Sequence, residues 1–161
     1  MSARTAALVL FVVMAWVAFG PSLAYPLTDA DDLILLSRVS KAAHPLAAFG
    51  GDWGLGNAGY RPLHIVSLWL SYHAFGVTAL CHQSINLALH LLCVWLLYGF
   101  IRTIQPDRTL AWLFAAMALV SVNTASPPTW ISDRPTLFVA AAVLIWLRVA
   151  VAVLVYTQPP L

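Results

Sequence analysis

Residues 79–101 read ALCHQSINLALHLLCVWLLYGFI, and this stretch decides the kind of protein the chain is. About 20 apolar-dominated residues in helical form rise roughly 30 Å, the thickness of a bilayer's hydrocarbon core. The rest of the chain agrees with it. Of 161 residues, 61% are hydrophobic and only 9% are charged, with a mean hydropathy of +0.85. A soluble domain carries about 25% charged residues. Too little charge is present to cover a water-facing surface, so most of the surface must face lipid and a soluble globular domain is excluded. The expected fold is all-α, a polytopic membrane helix bundle of about four transmembrane helices, with two interfacial helices in the first outer loop.

Toward the N-terminus, residues 62–76 (PLHIVSLWLSYHAFG) have a helical period but are short for a crossing, and they read as an interfacial or half-inserted helix. Residues 49–60 (FGGDWGLGNAGY) hold five glycines and read as a loop. Thr28-Asp29-Ala30-Asp31 has capping-box spacing with Asp31 in the Glu/Gln place. A helix is expected from there to about Ala43, with Leu33, Leu36, Val39 and Ala43 on one face, ended by His44-Pro45. Residues 26–78 thus form the outer loop. Residues 1–25 hold the first apolar span, and two readings of it stand: a membrane anchor, or a signal peptide with Ser22-Leu23-Ala24 as its small-residue cleavage site. Both place residue 26 onward on the outer side.

Toward the C-terminus, a charged turn from Arg102 to Arg108 leads into a span at 109–125. Ser126-Pro127-Pro128 breaks that span, and 126–135 form an outer turn whose Thr129 to Pro135 part reads as polar and re-exposed. Residues 136–156 are the last span, interrupted by Arg148. With 62–76 not crossing, Arg102 and Arg108 share a side with Arg4, as the preference of short basic loops for the cytoplasm requires. Asp29, Asp31, Asp32, Arg61, Asp133 and Arg134 then all face the outer side.

The net charge of +2 carries no basic run, so nucleic-acid binding has no footprint. Cys81 and Cys93, about 18 Å apart along one helix, cannot bridge each other and read as apolar residues. The chain has no Glu, yet three of its six Asp residues lie within four positions. A carboxylate at Asp31 or Asp32, at the mouth of the membrane, suits a general base for an acceptor hydroxyl or a ligand for a divalent cation holding a phosphate. The plainer reading is charge stabilisation of a helix N-terminus. Arg61 suits a phosphate at headgroup level, or is a snorkelling side chain. Asp133-Arg134 is either a solvated turn or, where it meets Asp31 in space, part of one site. His82 and His90 stand eight residues apart, which is not a zinc spacing, and His90 is expected to bond between helices.

The order of parts resembles a known family. After the first span come Asp31-Asp32, then Tyr60-Arg61-Pro62-Leu63, Ala74-Phe75-Gly76, Asn86-Leu87-Ala88-Leu89-His90 and Trp130-Ile131-Ser132-Asp133-Arg134. This is similar to the N-terminal part of multi-spanning GT-C glycosyltransferases, chiefly the membrane O-mannosyltransferase-like group with TPR-bearing members, and more distantly the lipid A aminoarabinose transferases. The resemblance implies Asp31 as the catalytic or metal-binding acid, Asp32 as its partner, and Arg61 near the phosphate of a polyprenyl-phosphate sugar donor, with Arg134 as a second donor-phosphate residue. Related members often carry acids before the Trp-Ile-Ser stretch and after the Arg. Here those places hold Ser126 and Thr136, and Asp133 is the candidate catalytic acid in their stead.

The implied function is transfer of a sugar from a lipid-phosphate donor to an acceptor on the outer face, by a chain that reads as a fragment of a longer protein. A divalent metal ion is the candidate cofactor. Expected partners are membrane lipid and the polyprenyl-phosphate sugar, with no nucleic acid. The expected location is a bacterial inner membrane, with the N-terminus cytoplasmic. The alternative is a non-catalytic assembly protein whose Ala111, Ala115, Ala116 and Ala118 let partner helices approach closely. A transporter ranks third, because the spans hold few mid-membrane charges.

Overall fold

Helix α4 (Ala79–Ile104) is the axis on which the other helices pack. The computed structural model describes residues 3–27, 29–51, 59–105, 107–121 and 128–157. No strand is present among them, so the fold is the all-α membrane bundle expected. Among the described residues, three stretches are long and apolar enough to cross a membrane: Thr5–Ala24, Ala79–Ile104 and Ile131–Leu154. The expected count was about four. The difference is the helix after Asp107, here α5 (Arg108–Val120), whose 13 residues rise only about 20 Å. Residues 122–127, which include the Ser126-Pro127 break, lie outside the described residues.

Helix α1 (Ala3–Phe19) packs with α4 and α5 into one apolar core. Phe11, 1% exposed, stacks on Trp112 at 6.3 Å and meets Tyr98 edge-on at 5.8 Å. Ala111, Ala115 and Ala116 are buried in the same core, so these small residues bring α5 close to the chain's own helices. A polar link also joins the helices here. The His90 Nε2–H donates to the Leu119 carbonyl at 3.0 Å, the interhelical bond expected of that histidine. The acceptor is one of the last carbonyls of α5, which lack intrahelical partners.

The final helix, α6 (Arg134–Thr157), runs beside α4. The Cys93 thiol lies 3.4 Å from the Leu137 carbonyl. Further along, Arg148 lies across Gly99, where an added Cβ would stand 2.6 Å from a guanidinium nitrogen. The outward side of α6, including Val139, Val143 and Trp146, is uncovered.

Helices α2 (Ala30–Lys41) and α3 (Pro62–Phe75) form a separate layer with the 3-10 turn Pro45–Gly50 and Ile131. Asp29, not Thr28, caps α2, its carboxylate accepting from the Asp31 N–H at 2.9 Å; Thr28 itself lies outside the described residues. Arg38 and Lys41 close the last turn, opposite the acids of the first, in the sense the helix dipole favours. The buried face is Asp32, Leu35, Leu36 and Val39 rather than the expected Leu33, Leu36, Val39 and Ala43. Leu33 and Ala43 are exposed. The cause is Asp32, which turns inward to a polar partner and rotates the helix with it. The Trp69 indole donates to the Ala42 carbonyl at 2.9 Å and ties α3 to the end of α2.

Pro62 sits where α3 needs no N–H. The 14 residues of α3 span about 21 Å, short of a crossing. The helix ends at Gly76, whose φ of 62° favours glycine. Residues 52–58, most of the expected glycine-rich loop, lie outside the described residues.

Candidate functional site

Asp32 is 2% exposed and reaches across 100 positions of sequence. Its Oδ1 accepts from the Ser132 N–H at 2.8 Å and the Ser132 hydroxyl at 2.5 Å, and its Oδ2 from the Ile131 N–H at 3.4 Å. Burial pushes the carboxyl above the usual carboxylate range. The bonds from Ser132 and Ile131 pull the other way, and the charge of Asp29 adds to the rise. The first turn of α2 is thereby latched to the 3-10 turn Ile131–Asp133 that precedes α6. The polar composition of Thr129 to Pro135 predicts a re-exposed segment. In the structure Ile131, Ser132 and Arg134 are buried, because the latch and the second layer cover them.

Arg134, the first residue of α6, has 0% exposure. Its Nε donates to Asn86 Oδ1 at 2.6 Å, one terminal nitrogen to Ser67 at 2.7 Å, and the other to the His82 carbonyl at 3.3 Å. Asn86 in turn donates to the Trp130 carbonyl at 3.1 Å. His82 braces the α3–α4 corner: Nε2 lies 2.8 Å from the Gly76 carbonyl and Nδ1 3.1 Å from the Ser71 hydroxyl. A carbonyl only accepts, so Nε2 carries the proton, and the Ser71 hydroxyl lies 3.1 Å from both Nδ1 and the Leu68 carbonyl. His64 is buried beside this network. Burial, then the positive charges of Arg134 and Arg61, lower its pKa to about 3, so it is a neutral imidazole.

The remaining site residues lie around this nest. Asp31 is half-buried, one residue from the latch. Asp133 is half-buried on the other side of Ser132, and its Oδ1 accepts from the Thr136 hydroxyl at 2.5 Å. Arg61 is exposed at the start of α3, where its carbonyl takes the His64 and Ile65 N–H groups. Asp32 and the Trp130–Arg134 turn are therefore in direct contact. Arg134 faces inward, toward Asn86, Ser67 and His82.

A divalent ion needs several oxygen ligands. Among the described residues, no three His, Cys, Asp or Glu side chains converge. Asp32 is occupied by Ser132 and Ile131, which leaves Asp31 a single carboxylate. Among the described residues these side chains do not by themselves make a metal cage, and an ion held at Asp31 would need further oxygens from a bound phosphate.

Ser67, Ser71, Asn86 and Ser132 were missed as working residues. A signal existed for Asn86: it stands midway between His82 and His90, four residues from each, on one face of an apolar helix. All three are buried.

No family profile matches the chain, and no solved structure gives a significant match. The chain is similar to Protein O-mannosyl-transferase Tmtc1 of Drosophila melanogaster, with 36% identity over 100 residues. Those residues make up 61% of this chain and only 11% of that much longer protein. The similarity to a glycosyltransferase that the motif order implied is thus found independently, over part of the chain.

Proposed function

We propose that this chain carries the acceptor-activating layer of a GT-C-type glycosyltransferase that uses a polyprenyl-phosphate sugar. The observation that supports this most is the Asp32 latch, which brings the acidic helix and the Trp130–Arg134 turn to one place. Asp31 stands beside that latch at the start of α2, half-exposed, where an acceptor hydroxyl can reach it.

In this reading Asp31 takes the proton of the acceptor hydroxyl as its oxygen attacks the anomeric carbon. The bond from that carbon to the phosphate oxygen breaks, and the lipid phosphate leaves with the bonding pair. Arg61, exposed at the start of α3, neutralises the leaving phosphate. Asp133 orients the acceptor. Asp32 and Arg134 are positioning residues: one holds the turn to α2, the other holds it to α3 and α4. The layer faces the outer side of a cell membrane and the N-terminus faces the cytoplasm, a sidedness supported by Arg102 and Arg108 in the short connection that shares an end with Arg4. Mannose on a Ser or Thr acceptor is the first pair to test, from the name of the relative.

The test is transfer of labelled mannose from a polyprenyl-phosphate donor to a Ser/Thr peptide in vesicles carrying the full chain. Asp31→Asn is expected to lower turnover about 100-fold or more, and Arg61→Gln to raise the donor KM. Transfer unaffected by Asp31→Asn, or no transfer by the native chain, overturns the proposal. The assembly reading draws support from the uncovered side of α6. Three of its four alanines, Ala111, Ala115 and Ala116, pack inside the chain's own bundle, and Ala118 is half-buried.

A further inference from the structure

The end of the bundle opposite the Asp32 latch holds a crevice of about 420 Å³ between α1, α4 and α5. Tyr98 on its wall lies sixteen residues past His82 along α4, a rise of about 24 Å. Ala7, Leu10 and Tyr98 form its apolar sides, and Arg108, Thr109 and Trp112 of α5 supply polar groups. Arg108 and Trp112 are four residues apart and share a helix face.

Two polar groups there are open to a ligand among the described residues. The Trp112 Nε1 is buried and meets no acceptor among the described residues. Its ring is fixed by stacking on Phe11, so it cannot turn to find one without breaking that packing. A buried N–H left unmade is costly. Arg108 is exposed beside it. The neighbouring Asp107 carboxylate accepts from the Thr109 and Leu110 N–H groups, as the cap of α5.

The crevice lies at the first residues of candidate span Thr5–Ala24 and toward the last of Ala79–Ile104. A cation and an indole N–H above an apolar cleft, at headgroup depth, suit an amphiphilic anion. Basic pockets between transmembrane helices take phospholipid headgroups in this way.

We infer that the crevice between α1, α4 and α5 is a binding site for an anionic diacyl phospholipid. Arg108 pairs with the phosphate, the Trp112 N–H donates to a headgroup or ester oxygen, and the chain runs along Ala7 and Leu10. A zwitterionic lipid carries the same phosphate but adds a cation that Arg108 repels. The site uses none of the residues assigned to sugar transfer, so it stands or falls independently of that function.

Native mass spectrometry of the full chain tests it, with phosphatidylglycerol and phosphatidylcholine in competition and inorganic phosphate as a separate probe. Retention of phosphatidylglycerol over phosphatidylcholine is expected. Arg108→Gln should reduce that preference about fivefold, the worth of one basic residue near a membrane surface. Trp112→Phe keeps the ring packing and should reduce retention of phosphatidylglycerol about threefold by removing the N–H donor. Arg38→Gln, at the other end of the molecule, should leave it unchanged. Equal retention of the two lipids by the native chain, a preference that survives both α5 substitutions, or inorganic phosphate displacing the lipid, overturns the proposal. Should Arg108→Gln fail to fold, Trp112→Phe decides.

Discussion

The two packed regions of this chain are held in opposite ways. The α1–α4–α5 core is aromatic rings and alanines, with the His90–Leu119 bond as its polar link. The α2–α3 layer is fastened to the bundle by polar groups: Asp32 to Ser132 and Ile131, and Arg134 to Asn86, Ser67 and His82. Lipid gives helices no hydrophobic reason to associate, so the bundle relies on close van der Waals fit, which tolerates small shifts. A buried polar network admits one geometry, because every unmade bond in it is expensive. The bundle is therefore adaptable, and the layer that bears the acids is fixed in position.

The largest test of that contrast is Arg134→Leu. It strands Asn86 and Ser67 and leaves Asp32 without its nearby positive charge. A loss of about 3–5 kcal/mol is expected, of the order seen when one member of a buried charged set is removed. Reversible unfolding in mixed micelles measures it. Arg134→Lys should recover only part, since one ammonium cannot serve three directions. Asp32→Ala should cost about 3 kcal/mol, and the loss should be local. Hydrogen exchange would rise in α2 and the Ile131–Asp133 turn while α1, α4 and α5 keep their protection. Equal exchange in both regions would mean they are a single cooperative unit.

The third test is acid. The pKa of His64 is lowered from 6.5 to about 3 in the folded chain, so the folded state prefers it neutral. Its contribution is complete above 6.5 and is lost as the pH falls from there toward 3. About 2 kcal/mol should go between pH 7 and pH 5. Asp32 has the reverse sign. Its raised value means stability present at low pH and lost as the pH rises above 3.8 through the folded value. Subtracting the pH profile of a His64→Gln variant isolates the histidine. The smallest effect is expected in the bundle. Gly99→Ala places a methyl against the flexible end of Arg148, which can swing aside at a cost of about 1 kcal/mol or less. Its unfolding midpoint should barely move.

Much of this was legible in the sequence, and the boundary is physical. The spans follow from uninterrupted apolar length, which is a local property, so the helices at 79–101 and 136–156 could be read directly. The short α3 was legible because fourteen residues cannot cross thirty ångströms. The face of α2 was not. Its apolar spacing fits Leu33 and Leu36, but a contact with Ser132, a hundred residues on, turns Asp32 inward. The depth of Arg134 was hidden for the same reason: an arginine next to an aspartate reads as solvated until Asn86, Ser67 and His82 are seen to surround it. Local pattern reports what a segment is made of. It does not report which distant polar group that segment will meet.

The corner at Gly76 carries a consequence for membranes of different thickness. Only three residues join α3 to α4, and His82 bonds across them. The Asp32 bonds fix α2 to the residues just before α6 in the same manner. Both short helices are thus mounted on the ends of two spans rather than floating at a depth set by their own affinity for headgroups. A bilayer that mismatches α4 and α6 forces those spans to tilt. The carboxylates ride with them, so hydrocarbon thickness is transmitted to the orientation of Asp31.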